Sequence, residues 1–315
     1  RTTNLRRSLG LFVAAGVLLS LEPGETAANR PPKLQYTMTT LDNGLKVVLH
    51  EDHSTPIIHA ELWYHVGSKN EKPGRTGFAH LFEHMMFKGS KNVEPEGHPS
   101  WISSVGGQSN ATTNEDATVY WQTFPAQYLP LVLWLEADRM ATLRIDEAVF
   151  KNEREVVKEE RRMRVDNQPY GRLNEIIYDQ AFTVHPYKHP TIGSMKDLEA
   201  ASIDDVRDFF RTYYVPNNAT LVLAGDFETK EALKLVEQYL GRVPKSTKPV
   251  PRDIPEEPAQ TKERRVRKGF WRTVRRAARL IPFMDEVIAA YYCAFDPKTP
   301  ARVPSVISRV GRWPS

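Results

Sequence analysis

Gly77-Phe78-Ala79-His80-Leu81-Phe82-Glu83-His84-Met85-Met86-Phe87 sets three chemically active side chains inside an amphipathic, helix-favouring run. His80, Glu83 and His84 spell H-x-x-E-H. On an α-helix, residues four apart share a face, roughly 6 Å apart along the axis. Two imidazoles so placed can bind one Zn2+, and Glu83, about one turn from His80, lies beside the metal's open position. A carboxylate there can take a proton from water. The pattern is the reversed order of the H-E-x-x-H zinc signature. Three fixed residues recur by chance, so the surroundings decide their weight.

Catalytic zinc commonly takes three protein ligands and leaves one position for water. A third ligand is expected on a second carboxylate-rich helix, and the stretch from Asp146 to Met163 fits. Val149, Val156, Val157 and Glu160 fall near one stripe, with Glu153 two turns before Glu160 on the same face. Carboxylates on an apolar stripe are costly unless paired. A zinc ion for Glu160 and a ligand histidine for Glu153 would supply the pairing. Taken alone, the same stretch also reads as a solvated charged helix; beside the H-x-x-E-H helix the metal reading takes precedence.

Working outward, Leu41-Asp42-Asn43-Gly44-Leu45, Val66-Gly67-Ser68-Lys69-Asn70-Glu71 and Phe87-Lys88-Gly89 flank the first helix, and Gly107-Gln108-Ser109-Asn110-Ala111-Thr112-Thr113 follows. Then come Phe150-Lys151-Asn152-Glu153-Arg154, His185-Pro186-Tyr187, Tyr213-Tyr214-Val215-Pro216-Asn217-Asn218 and Gly225-Asp226-Phe227. In this order and spacing they resemble the pitrilysin/insulinase family of zinc metallopeptidases, which includes mitochondrial processing peptidases and bacterial exported proteases. The likeness runs from about Tyr36 to Val243. Carried over position by position, it implies His80, His84 and Glu160 as ligands of one Zn2+ per chain, with Glu83 as general base. It implies Glu153 as a supporting carboxylate oriented towards a ligand. Asn110, Ala111, Thr112 and Thr113 match an edge strand that holds substrate backbone by β-addition. The expected fold is α+β, an antiparallel sheet with helices packed on one face, of the pitrilysin N-terminal type. Family members close a chamber over their substrate with a distal half, so a second family-like subunit or self-association is the expected partner.

The local patterns agree with that class. Lys46 to His50 and Ile57 to Val66 alternate like strands, and Asp42-Asn43-Gly44 supplies a turn. Gly89 closes the first helix, and Gly106-Gly107 opens a strand pair whose second member is Ala117 to Phe124. Leu129 to Ala141 and Glu147 to Val165 read as helices, Ser202 to Asp205 as a capping box, Ala219 to Ala224 as a buried strand and Glu231 to Tyr239 as a helix. His59 and His65 read as ordinary strand histidines, and His185 as a turn residue beside the cleft.

The termini read differently. Arg1, Arg6 and Arg7 precede an uncharged run from Leu9 to Leu21, then small residues to Ala28. This is the order of a secretory signal peptide over 1–28, which points to export, the bacterial periplasm first. An uncleaved membrane anchor is the alternative. Residues 29–243 form the expected metallopeptidase domain and 244–261 a proline-rich linker. Residues 262–279 hold nine lysines and arginines against one acid, so the chain's net +4 leaves −4 for the remainder, and the basic pI near 9.0 describes the tail. The stretch 262–315 reads as a truncated or frame-shifted end. A tail binding nucleic acid or an anionic membrane is the third functional class, and no nucleic-acid partner is expected. The second class is a zinc- and peptide-binding subunit without turnover. Cys293 is alone, which excludes an intramolecular disulfide and a thiolate zinc site. Peptides or unfolded proteins are the expected substrates.

Overall fold

In a computed structural model of the chain, residues 33–258 are described. The signal-peptide reading over 1–28 and the basic tail from 262 lie outside them. The chain divides into a short unit, Arg1–Leu34, and a large one, Gln35–Ser315, to which every element below belongs.

Six strands form one sheet: β1 (Thr37–Thr40), β2 (Lys46–Glu51), β3 (Ile57–Tyr64), β4 (Gln108–Thr113), β5 (Thr118–Pro125) and β6 (Ala219–Gly225), in the order β1-β2-β6-β3-β5-β4. Four of the five pairings are antiparallel; β2 and β6 run parallel, so the sheet is mixed. The reason is topological. The chain leaves β3 for a long helical excursion and returns to insert β6 between β2 and β3, antiparallel to the second and therefore parallel to the first. The register places Val47 and Leu62 on either side of Leu221.

Alternation assigns the faces. Ile58, Ala60, Leu62 and Tyr64 of β3 are buried, as are Val47, Leu49, Tyr120, Phe124, Leu221 and Leu223, whereas Ile57 and Trp63 on the opposite face are exposed. Helices cover the buried face: α1 (Phe78–Met85), α2 (Gly97–Ser104), α3 (Leu129–Thr142), α4 (Glu147–Arg161), α6 (Met195–Ala200), α7 (Ile203–Tyr213) and α8 (Thr229–Tyr239), while α5 (Leu173–Ala181) buries no residue. Leu133, Val157, Val206 and Val236 join the strand residues in one core. Each such side chain contributes about 1.5–3 kcal/mol by leaving water.

Local chemistry starts the helices. Asp146 caps α4 by accepting the Val149 N–H, and Ser202 with Asp205 forms the expected capping box on α7. The inner face of α4 is Phe150, Glu153, Val157 and Arg161; Val156, which the sequence stripe included, is 43% exposed. After Arg161 the helix widens into a π-turn, Arg162–Asp166. Phe82 of α1 packs its ring against Phe209, Phe210 and Tyr214, with centroids 5.5, 6.0 and 5.0 Å away, which anchors α1 to the end of α7. As far as Pro258 the proline-rich stretch lies pinned to the domain. Arg252 donates to Asn218 at 2.6 Å, and the Glu257 carboxylate accepts the backbone N–H groups of Thr183, Val184 and His185. No helix among the described residues is long and apolar enough to cross a membrane.

Candidate metal centre

The start of α1 is fixed by backbone rather than by a capping side chain of its own. Gly77 adopts φ 94°, and a Cβ there would meet Ile192 O at 2.8 Å and Leu198 Cδ2 at 2.9 Å. The left-handed turn and this close approach both require glycine. The orphan N–H groups of Gly77 and Ala79 are taken by Glu71, at 2.9 and 2.8 Å. The Glu71 side chain is fully buried, and burial pushes its carboxyl up to about 8 against the lowering effect of these N–H groups.

With α1 so aimed, His80 and His84 face α4. His84 Nε2 lies 3.3 Å from Glu160 Oε2, and His80 Nε2 lies 3.6 Å from the same oxygen. All three donor atoms fall within 4.8 Å of one another. Zinc bonds of about 2.0–2.1 Å at tetrahedral angles separate neighbouring donors by about 3.3–3.4 Å. Two neutral nitrogens and one carboxylate oxygen at these separations fit such an ion. Burial first, and His84 next, hold the His80 imidazole down to about 4, so its lone pair is free. Glu83, on the same helix, has its carboxyl raised by burial, with the Thr113 hydroxyl and His84 opposing.

A second layer surrounds these groups. Glu153, 1% exposed, presents Oε2 to His84 Nδ1 at 3.7 Å, and that oxygen has no hydrogen-bond partner. Its Oε1 accepts from Asn152 at 2.7 Å and lies 3.4 Å from the Lys88 ammonium. Burial raises the Glu153 carboxyl, but His84, Asn152 and Lys88 outweigh it and hold it below the ordinary range. Arg164 of the π-turn holds Glu160 Oε1 at 2.5 Å, leaving Oε2 to the histidines. Sequence reading passed over Glu71, Lys88, Asn152 and Arg164. Lys88 and Arg164 each stand four residues after a candidate ligand, and that spacing was the available signal.

Asn110, Ala111, Thr112 and Thr113 lie on β4, which among the described residues pairs with β5 alone and forms the edge of the sheet. α1 lies against this strand, which brings Thr113 to Glu83. His59 donates or accepts at Thr123 and Glu61, as expected of a strand histidine. His185 opens a short 3-10 turn and accepts the Tyr187 N–H. It lines a cleft of about 850 Å3 between that turn, α5 and Pro251–Pro255. One further donor group, Glu51, His53 and Glu228, clusters among the described residues. It is fully exposed, and His53 is already paired by Glu51 and Asp226.

A mixed sheet with helices on one face thus carries His80, His84 and Glu160 on two facing helices. The chain matches the family described as Insulinase (Peptidase family M16) over residues 46–195, and the Peptidase M16 inactive domain over 200–268. It is 34% identical over 259 residues to the zinc protease PqqE of Helicobacter pylori, covering 82% of this chain and 57% of that protein. A crystal structure of a protease from Helicobacter pylori matches with a TM-score of 0.70 and 35% identity, over 72% of this chain and 55% of that one. The periplasmic protease PqqL from Escherichia coli matches with a TM-score of 0.65 and 26% identity, over 71% of this chain and 26% of that one. The chain belongs to the insulinase family of peptidases. It spans about half the length of the first of these relatives.

Proposed function

We propose that the chain is the metal-bearing half of a zinc-dependent endopeptidase acting on peptides or unfolded proteins. One Zn2+ is held by His80, His84 and Glu160, and Glu83 is the general base. The observation that carries this reading is the approach of His80 Nε2 and His84 Nε2 to one oxygen of Glu160, at 3.6 and 3.3 Å, with Glu83 on the same short helix. Zinc bound there supplies Lewis acidity, which polarises the scissile carbonyl and acidifies a water molecule.

The chain's own residues do the rest. The edge of β4, from Asn110 to Thr113, adds the substrate backbone as a further strand and presents its carbonyl to the site. Glu83, its carboxyl raised by burial, is a better base at neutral pH than an ordinary glutamate. It takes a proton from the attacking water as oxygen bonds to the carbonyl carbon. It returns that proton to the amine nitrogen as the C–N bond breaks, and no acyl-enzyme forms. Glu153 orients His84 through Nδ1, and Arg164 fixes which oxygen Glu160 offers.

The length of the relatives supports a second family-like half that completes the chamber. Without that half, the metal-bearing domain binds zinc and peptide and turns over slowly or not at all. The basic start and apolar run of 1–28, together with the periplasmic relative, support export.

The test is cleavage of a quenched, unstructured peptide by the zinc-loaded full chain beside Glu83→Gln. Cleavage abolished by the substitution and by chelator, with zinc retained, supports the reading. Cleavage at the native rate by Glu83→Gln removes Glu83 from its role. Zinc binding without cleavage in both favours the incomplete half, and restored cleavage on adding a family-like second half then establishes it.

A further inference from the structure

We infer that Lys88 is a positioning residue of the metal centre, acting through Glu153 on the orientation of His84. The inference rests on the proposed role of His84 as a ligand. Lys88 lies four residues after His84, just past the end of α1, where its N–H donates to Met85 O at 3.0 Å. The C-terminal end of a helix favours a cation. Its ammonium pairs with two carboxylates, Glu153 at 3.4 Å and Glu96.

Glu153 needs that cation. Its side chain is 1% exposed, and an ionised carboxylate buried so deeply is costly unless paired. Its two oxygens divide the work. Oε1 accepts from Asn152 and faces Lys88, while Oε2 faces His84 Nδ1 and has no other partner. His84 Nε2 points to Glu160, so the ring serves a metal with its proton on Nδ1. A hydrogen bond from Nδ1–H needs an acceptor oxygen, and Glu153 Oε2 is the one that faces it. Remove the lysine and Glu153 Oε1 loses the ammonium beside it, so the carboxylate can rotate away and its hold on His84 weakens.

Glu96 shows that the lysine's place is built. It sits at φ 59°, the left-handed region, at the start of α2, and its N–H donates to Phe87 O at 3.0 Å. A non-glycine residue is uncommon there. The Phe87–Glu96 loop thus closes on itself and brings the Glu96 carboxylate to Lys88. Lys88 is bridged, not free to swing into solvent.

The experiment is zinc affinity of the full chain by competition with a fluorescent chelator, for wild type, Lys88→Met, Lys88→Arg, Glu96→Gln, Glu153→Gln and Lys88→Met/Glu153→Gln. Lys88→Met is expected to weaken zinc binding roughly 10-fold, within the 10- to 100-fold range of such outer partners. Lys88→Arg should restore affinity to within about threefold, because it keeps the charge that a packing role would not require. The double variant should bind no more weakly than Glu153→Gln alone, since the lysine acts through that residue. Glu96→Gln, which loosens the bridge but keeps the lysine, should weaken affinity less than Lys88→Met. If Lys88→Met does not fold, judged by the circular dichroism melt of the metal-free chain, Lys88→Gln takes its place in the same comparison. Zinc affinity unchanged in the lysine variants, while Glu153→Gln weakens it, overturns the inference and leaves the ligand assignment standing. Additive losses in the double variant also overturn it. A wild-type chain that binds no zinc removes both.

Discussion

Glu71→Gln tests how the start of the metal-bearing helix is held. Glu71 is buried with the His189 ring 3.7 Å away, an imidazole whose own burial disfavours its taking a proton, and Asp197 raises the Glu71 carboxyl further. In the unfolded chain the carboxyl ionises near its ordinary value of 4.5, whereas in the folded chain it is pushed up to about 8. Below pH 4.5 both states are protonated, and the folded state keeps the full benefit. Between 4.5 and 8 the unfolded chain sheds a proton that the folded chain retains, so stability falls steadily and levels off above 8. The gap of about 3.5 between the two values, at about 1.36 kcal/mol per pH unit, makes the loss roughly 5 kcal/mol. Glutamine keeps an oxygen for one helix N–H and cannot ionise, so its stability lacks this slope. The assay is urea unfolding of the metal-free full chain, followed by tryptophan fluorescence, at pH 5 and pH 8. Wild type is expected to lose several kcal/mol relative to Glu71→Gln between the two. Parallel pH dependence of the two proteins, within about 1 kcal/mol, would refute the reasoning.

Three further outcomes are expected. Phe82→Ala opens a cavity among Phe209, Phe210 and Tyr214 and should cost about 3–5 kcal/mol in urea unfolding, with zinc affinity falling as α1 loosens. Arg139→Met leaves Glu136 buried and uncompensated, since the Arg139 guanidinium holds that carboxylate with both side chains at most 2% exposed; the loss should be about 3–5 kcal/mol. Burial pushes the Glu136 carboxyl up, but Arg139 and then His98 outweigh it and hold it at about 2. The stability this supplies is present above about pH 4.5 and lost as pH falls towards 2, so the deficit of Arg139→Met should be full above pH 4.5 and shrink as pH falls towards 2. Gly77→Ala, strained at φ 94° and blocked by Ile192 and Leu198, should lower both the melting temperature and the zinc affinity.

The two helices that carry the candidate site were legible because their signals are local. Four-residue spacing puts His80 and His84 on one face, and seven-residue spacing does the same for Glu153 and Glu160; the structure sets those faces against each other. β2 and β3 were legible from alternation, since one face is buried and the other is not, β4 and β5 from the Gly106-Gly107 turn that opens them, and β6 as an apolar run. β1 was missed because it is a four-residue edge strand that is mostly exposed, with no apolar alternation. The parallel pairing of β2 with β6 depends on where a strand 170 residues later inserts, and no window of sequence contains it. The place of Val156 was misjudged by one position: about 100° of helical rotation separates it from Val157, enough to move it from core to surface. Glu71 was invisible for a further reason. Its partners are backbone N–H groups six and eight residues away, and only the folded loop brings them together.

The most direct test of the central claim is zinc stoichiometry of the purified full chain by native mass spectrometry, for wild type, Glu83→Gln, His80→Ala, His84→Ala and Glu160→Gln. The account predicts one zinc in wild type and in Glu83→Gln, and none in the other three. Zinc retained by Glu160→Gln, or lost from Glu83→Gln, would contradict it.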